Sequence, residues 1–148
     1  MLPNGGGTVK PLPVSFLGID YGSKRVGLAL AENAELVLPL KTLARGKNFW
    51  EELKTCIFDY EVDVVVLGLP LNMDGSEGDA AKRTRIFSDE LQKHINVQVM
   101  LWDERLSSVE AHDRLDQAGF SSKKQRQVVD QMAAVIILQS FLDGQTQS

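Results

Sequence analysis

Three acidic residues stand where acids are costly to place, and their donor atoms are all oxygens. Asp20 ends the run Val14, Phe16, Leu17, Ile19, which reads as a buried strand, and Gly22 follows as a turn residue. Glu104 comes directly after the segment Val97 to Trp102, whose alternation predicts another strand. Asp130 interrupts the apolar stretch Val128-Val129-Asp130-Gln131-Met132-Ala133-Ala134 near the expected start of the last helix. An ionised carboxylate held away from water is expensive unless a cation compensates it. Hard divalent cations prefer such oxygen ligands, and the expected ion is Mg2+ or Mn2+. Two ions about 3.5–4 Å apart would activate a water and stabilise the leaving oxygen of a phosphodiester, with no side-chain nucleophile needed.

Each acid also has a plainer explanation. Asp20-Tyr21-Gly22 is ordinary turn chemistry, and an acid near a helix start is favoured by the helix dipole, which would suffice for Asp130. The proposition therefore rests on the three acids meeting. His94 and His112 sit at no metal-like spacing with any acid and are expected to serve surface or packing roles. Cys56, the single cysteine, falls on the inner side of a helix and excludes an internal disulfide.

The elements that must position these acids follow from periodicity. Strand one leads through a turn at Gly22 to Lys24 into a second strand, where Val26, Leu28 and Leu30 alternate with small residues. Leu36 to Leu40 predicts a third strand, with Pro39 marking an edge position or a bulge. Phe49, Leu53, Cys56, Ile57 and Tyr60 give an amphipathic helix from about Asn48 to Tyr60. Val62 to Leu69 is a branched apolar run, the signature of a central strand covered on both faces and parallel to the first. Pro70 to Gly78 is a loop, and Ala80, Thr84, Phe87 and Leu91 mark a second helix. After the fifth strand, Ser107 with Glu110 matches a capping box opening a short helix that Gly119 closes. Ser121 to Gln127 is expected to be a mobile basic loop. The final helix is expected from Val128, with Val129, Met132, Ala133, Ile136, Ile137 and Phe141 turned inward.

This order predicts an α/β fold: a five-stranded mixed sheet, three antiparallel strands followed by parallel ones, with helices on both faces. Groups at the carboxyl ends of parallel strands share the edge where ligands bind.

Composition sets the limits. The 148 residues suit one domain, expected over residues 15–143, with a flexible tail over 1–14 and a short tail over 144–148. No apolar run reaches the roughly 18 residues of a membrane helix, the first residues lack the apolar core of a secretory signal, and a cytoplasmic location is expected. Sixteen Lys plus Arg against twenty Asp plus Glu, a net charge of -4, speak against a general nucleic-acid coat protein. Any contact with phosphates must come from local clusters. Lys24 and Arg25 follow Asp20, Arg105 follows Glu104, and Lys123, Lys124 and Arg126 precede Asp130, so these are the candidate phosphate contacts. For Arg105 alone, pairing with Asp103 to fix the loop is the simpler role.

Four ordered motifs resemble the YqgF/RuvX family. They are Gly18-Ile19-Asp20-Tyr21-Gly22 with Arg25 and Gly27; Gly68-Leu69-Pro70-Leu71-Asn72-Met73-Asp74-Gly75; Asp103-Glu104-Arg105-Leu106-Ser107; and Val129-Asp130 followed by Ala133-Ala134 and Ile137-Leu138. The resemblance implies an RNase H-like fold related to RuvC-type Holliday junction resolvases. It also implies a metal-dependent nuclease linked in bacteria to maturation of the pre-16S rRNA 5' end, with Asp20, Glu104 and Asp130 as catalytic and metal-binding acids. One position departs from the wider resolvase pattern: where those enzymes carry an acid at the end of the fourth strand, this chain has Asn72. Asn72 would either orient a water or phosphate or simply form the turn.

Other classes stay open on sequence grounds. A resolvase cutting branched DNA would use the same carboxylates. A non-catalytic protein binding RNA, ribosome factors or transcription factors would suit the net acidity and Asn72. Half of a sugar-kinase or actin-like ATPase shares Asp-x-Gly after a first strand, but the chain is too short for two lobes. Monomer and homodimer are both compatible with the sequence.

Overall fold

The computed structural model describes residues 14–107 and 122–146. Residues 1–13, the helix expected between Ser107 and Gly119, and His112 lie outside them. Five strands form one sheet in the order β3-β2-β1-β4-β5: β1 Phe16–Tyr21, β2 Arg25–Ala31, β3 Val37–Ala44, β4 Val64–Leu69 and β5 Gln98–Asp103. β1, β2 and β3 pair antiparallel, while β1, β4 and β5 run parallel. Helices α1 (Phe49–Asp59) and α2 (Asp79–His94) cover one face, and α3 (Lys123–Thr146) covers the other. The mixed sheet, the parallel alignment of β1 with β4, and the two helical layers are those the sequence predicts.

The two faces are sorted by side-chain size. Leu17, Ile19, Val26, Leu28, Leu30, Val65 and Leu67 point toward α1 and α2, where Phe49, Leu53, Phe87 and Leu91 complete a core. Each such fully buried side chain contributes about 1.5–3 kcal/mol. The intervening residues of the same strands, Gly18, Gly27, Ala29, Ala31, Val66 and Gly68, face α3 and are mostly small. Strands covered by helices on both sides must bury both faces, and small residues let one helix lie closer than the other.

β3 is an edge strand, and its pairing with β2 slips between Leu28 and Ala29, which meet Lys41 and Pro39. Leu40 is the extra residue. Proline cannot donate to a ladder, so edge and bulge together accommodate Pro39. β3 continues to Ala44, beyond the expected end at Leu40, because its hydrogen-bond partner β2 extends back to Arg25.

The last helix differs most from expectation. α3 begins at Lys123, not near Val128, so the basic segment expected to be a loop forms its first turn; Ser122 Oγ accepts from the Gln125 amide there. The helix also runs to Thr146, three residues past the expected tail boundary, with Gly144 against the Trp102 ring. Its buried stripe is Ala134, Ile137, Leu138 and Phe141, whereas Ala133 and Ile136 are half-buried. Apolar residues on adjoining faces of this segment leave the helical phase ambiguous in sequence, and packing on the sheet selects one.

The closest approach of α3 is at Gly27. A Cβ there would land on the carbonyl of Asp130, so helix backbone rather than a flexible side chain would have to shift. Gly27→Ala is therefore expected to destabilise the protein by about 1–3 kcal/mol in urea denaturation. Gly46→Ala, where a Cβ meets nothing within 4 Å, is the control and should shift stability far less.

Candidate functional site

One level of the sheet carries the site. Gly27 of β2 pairs with Asp20 of β1 on one side and with Thr42 of β3 on the other. Gly68 of β4 comes one residue beyond the Ile19–Leu67 pair, level with Asp20, and pairs with Trp102 of β5. Directly opposed residues share a face. Asp20 thus lies on the α3 side of the sheet between two positions without side chains.

Both gaps are filled by the other acids. The backbone of Asp130 rests over Gly27, and a Cβ at Gly68 would stand 2.8 Å from Glu104 Oε2 and 2.6 Å from Ile137 Cδ1. The three acids named from sequence therefore lie near one another at one level of the sheet, at the carboxyl end of β1. Asp130 reaches it from the second turn of α3. Since the helix starts at Lys123, the helix dipole no longer accounts for an acid at this position.

Burial and like charge oppose ionisation at two of the three acids. Burial first, then the charges of Glu104 and Asp130, push the Asp20 carboxyl from 3.8 up to about 8. Burial, and secondarily Asp103, also raises Glu104. Among the described residues, Asp130 is the one of the three with an ion pair: Arg25 Nε stands 2.7 Å from its Oδ2. Among the described residues, no three carboxylate, imidazole or thiol groups converge closely enough to grip one ion together. The chemistry of the set still fits a hard dication, because it offers oxygen donors only and burial and like charge push two of its carboxyls toward the neutral form.

Neighbouring contacts hold the acids in place. Glu104 opens a short 3-10 turn through Leu106, and the Asp103 carboxylate accepts from the Arg105 amide at its start. The Arg105 guanidinium pairs with Asp103 (Nη2 to Oδ2, 2.7 Å) and donates through Nη1 to the carbonyl of Met73 at 3.3 Å. That hydrogen-bonded pairing holds the Asp103 carboxyl below its usual range. Arg105 is thereby committed to a clamp between the β5 end and the loop after β4, as the simpler of its two expected roles requires.

Asn72 lies within that loop. Its side chain donates to Ser76 Oγ at 2.9 Å, its amide donates to the Ser76 carbonyl, and its own carbonyl accepts from Gly75. In this structure Asn72 forms the turn. Lys24 is exposed in the β1–β2 turn, and Lys123, Lys124 and Arg126 are exposed on the first turn of α3. Arg126 precedes Asp130 by one helical turn and shares its side of the helix.

Several positioning residues escape a search for chemistry-bearing types. Thr42 Oγ1 donates to the Gln127 carbonyl and accepts from Gln131 Nε2, anchoring α3 beside Gly27. Ser140 Oγ accepts from Trp102 Nε1 at 2.9 Å and donates to the Leu106 carbonyl at 3.0 Å, tying the Glu104 turn to the same helix. The only signal for this layer in the sequence is the large-small alternation of β2. His94 stacks on Trp50 with ring centroids 4.0 Å apart, a packing role on the opposite face.

Residues 14–144 match the RuvX family, described as Holliday junction resolvase. The chain belongs to the RuvX family. It is 44% identical over 129 residues to a Desulfitobacterium hafniense protein named "Putative pre-16S rRNA nuclease", covering 86% of this chain and 91% of that protein. A protein of the same name from Halothermothrix orenii is 42% identical over 133 residues, covering 88% of this chain and 95% of its own. Among solved structures, T. thermophilus RuvC in complex with a Holliday junction substrate aligns with TM-score 0.50 over 90% of this chain and 96% of that one, at 11% identity. At that identity the likeness concerns the RNase H-like fold alone, and the mixed sheet described above agrees with it.

The raised Asp20 value makes this RuvX chain's stability depend on pH. A carboxyl that is harder to ionise folded than unfolded takes up a proton on folding, so stability falls as pH rises from about 4 to about 8 and levels off above. Without divalent metal, Asp20→Asn should melt several degrees above wild type at pH 8.5 and close to it at pH 4, as followed by circular dichroism.

Proposed function

We propose that this protein is a divalent-metal-dependent endonuclease that hydrolyses phosphodiesters of structured RNA, with the 5' end of pre-16S rRNA as its substrate. The observation that carries this reading is the placement of Asp20 between Glu104 and Asp130, with like charge and burial opposing its ionisation. The RNA substrate is taken from the names of relatives above 40% identity that cover most of the chain.

Asp20 and Glu104 would hold the metal from β1 and from the turn after β5, with Asp130 as a third arm from α3. When bound, Mg2+ or Mn2+ supplies an activated water and charge stabilisation for the leaving oxygen. The chain's own residues do the rest. Asp20 is fixed by its pairing with Gly27 and by following the last β1–β4 pair, Ile19 with Leu67; Glu104 is fixed by the capped turn and by Ser140, and Asp130 by the seat on Gly27. Lys24 and Arg25 at the β1–β2 turn, and Lys123, Lys124 and Arg126 on α3, would receive phosphates on either side of the scissile bond. Gathered on one side of the acids, these cations would allow a chain of net charge -4 to bind nucleic acid. Arg105 and Asn72 would act on substrate through the loop they hold rather than by direct contact. Work on a ribosomal precursor would place the protein in the cytoplasm, where ribosome factors are its natural partners; among the described residues no helix is long and apolar enough to cross a membrane.

The family description favours a second reading, cleavage of branched DNA. Paired cuts across a junction require two active sites, so that reading predicts a homodimer in solution, whereas RNA end processing is open to a monomer.

The test is a metal-titrated cleavage assay on a precursor 16S RNA end and on a four-way DNA junction. Cleavage of the RNA should require Mg2+ or Mn2+ and fall by more than about 100-fold in Asp20→Asn, since metal ligation supplies several kcal/mol of transition-state stabilisation. Preference for the junction would move the assignment to the resolvase. If Asp20→Asn restored rRNA maturation in cells lacking the protein, the role would be binding rather than catalysis.

A further inference from the structure

We propose that the Arg25 guanidinium is a stand-in for the metal: it neutralises Asp130 while the site is metal-free, gives up that carboxylate when a divalent cation binds, and is then released toward the substrate phosphate. This rests on the metal-site reading above and adds a competition within it.

Three observations carry the inference. First, Arg25 and Asp130 are paired at 2.7 Å with only 31% and 19% of their side chains exposed, so the contact is partly shielded from solvent and is not an idle surface pair. Second, Arg25 and Gly27 lie two residues apart on the same face of β2, and Gly27 is directly paired with Asp20. Asp130, whose backbone is seated over Gly27, has Arg25 on one side along the strand and Asp20 on the other side on the neighbouring strand. The proposed exchange turns the Asp130 side chain from the first of these neighbours toward the second. Third, among the described residues no three acids are placed as ligands of one ion, the arrangement expected if the third arm is held back.

The chemistry of the pair suits an exchange. A guanidinium does not lose its proton in proteins, so the contact ends only when a better cation takes the carboxylate. A divalent ion shared with Asp20 and Glu104 is such a cation, because it relieves three like charges at once. The displaced guanidinium stays within reach of the same mouth, where a phosphate offers bidentate acceptors. One arginine thus covers the acid before loading and the substrate after it.

The experiment measures Mn2+ binding to the intact protein by calorimetry, without nucleic acid and at fixed ionic strength. It compares wild type, Arg25→Gln and Arg25→Lys with Lys24→Gln, which makes the same charge change one residue away. Each is repeated in an Asp130→Asn background. Arg25→Gln should tighten Mn2+ binding about tenfold, equivalent to about 1.4 kcal/mol. Lys24→Gln should tighten it clearly less, and Arg25→Lys should lie between. The excess due to Arg25→Gln should vanish when Asp130 is Asn. In wild type the Arg25 Nε–H resonance should also shift on saturation with diamagnetic Mg2+, a readout that holds even where a variant folds poorly. Arg25→Gln binding Mn2+ no tighter than Lys24→Gln, or more weakly, would make Arg25 a fixed strut and overturn the proposal while leaving the metal site intact. No Mn2+ uptake by wild type would overturn both.

Discussion

Removing a side chain from a strand normally weakens a sheet, yet this sheet places glycines on both sides of Asp20, and the site depends on those two gaps. A Cβ at position 27 would displace the backbone of Asp130, and one at position 68 would collide with the carboxylate of Glu104. The glycines therefore admit two further acids to the space beside the first. β-strands tolerate glycine poorly for reasons of entropy and lost packing, so the cost is borne where close backbone approach requires it. Thr42 and Ser140 then secure α3 at either end of the same level, through hydrogen bonds to Gln127 and Gln131 and to Trp102 and the Leu106 carbonyl.

Crowding three carboxyl groups is unfavourable, and the fold pays it down only in part. Asp20 is pushed toward neutrality, Glu104 shifts the same way, and Asp130 is covered by Arg25. The core on the opposite face, with Phe49, Phe87, Leu53 and Leu91 behind the large residues of β1, β2 and β4, supplies the stability that tolerates this strain. Division of labour between the two faces follows from strand periodicity: residues two apart on one strand serve packing or chemistry, according to their side. Functional sites commonly hold such destabilised groups.

The loop after β4 shows the same economy at a smaller scale. Asn72, Asp74 and Ser76 close it through their own hydrogen bonds, and Arg105 fastens it to Asp103 beside Glu104. Arg105 and Asn72 are the polar groups that sequence reasoning could offer either to substrate or to structure. In the fold Arg105 bonds Asp103 and the Met73 carbonyl, and Asn72 bonds Ser76 and Gly75. Residue type tells what a side chain can donate or accept, while its partner is decided by which loops fold against each other.

Much of the molecule was legible in the chain alone. Alternation in β1 and β2, the branched run of β4 and the 3.6-residue spacing of α1 and α2 are local signals, and local sterics and burial determine them, so element types, strand directions and the mixed sheet followed. The three acids stood out in the chain for a related reason: each interrupts or ends an apolar pattern, which marks a charge that folding would not otherwise place there. The start and phase of α3 were not legible, because Lys123 to Gln127 is polar enough for a loop and the apolar residues that follow surround the helix on several sides. Only contact with the small-residue face of the sheet chose which stripe is buried, and with it the position of Asp130 over Gly27. The meeting of Asp20, Glu104 and Asp130, and the pairing of Arg25 with Asp130 across 105 residues of chain, are likewise tertiary facts. Sequence carries the cost of each charge, and distance between charges exists only once the chain has folded.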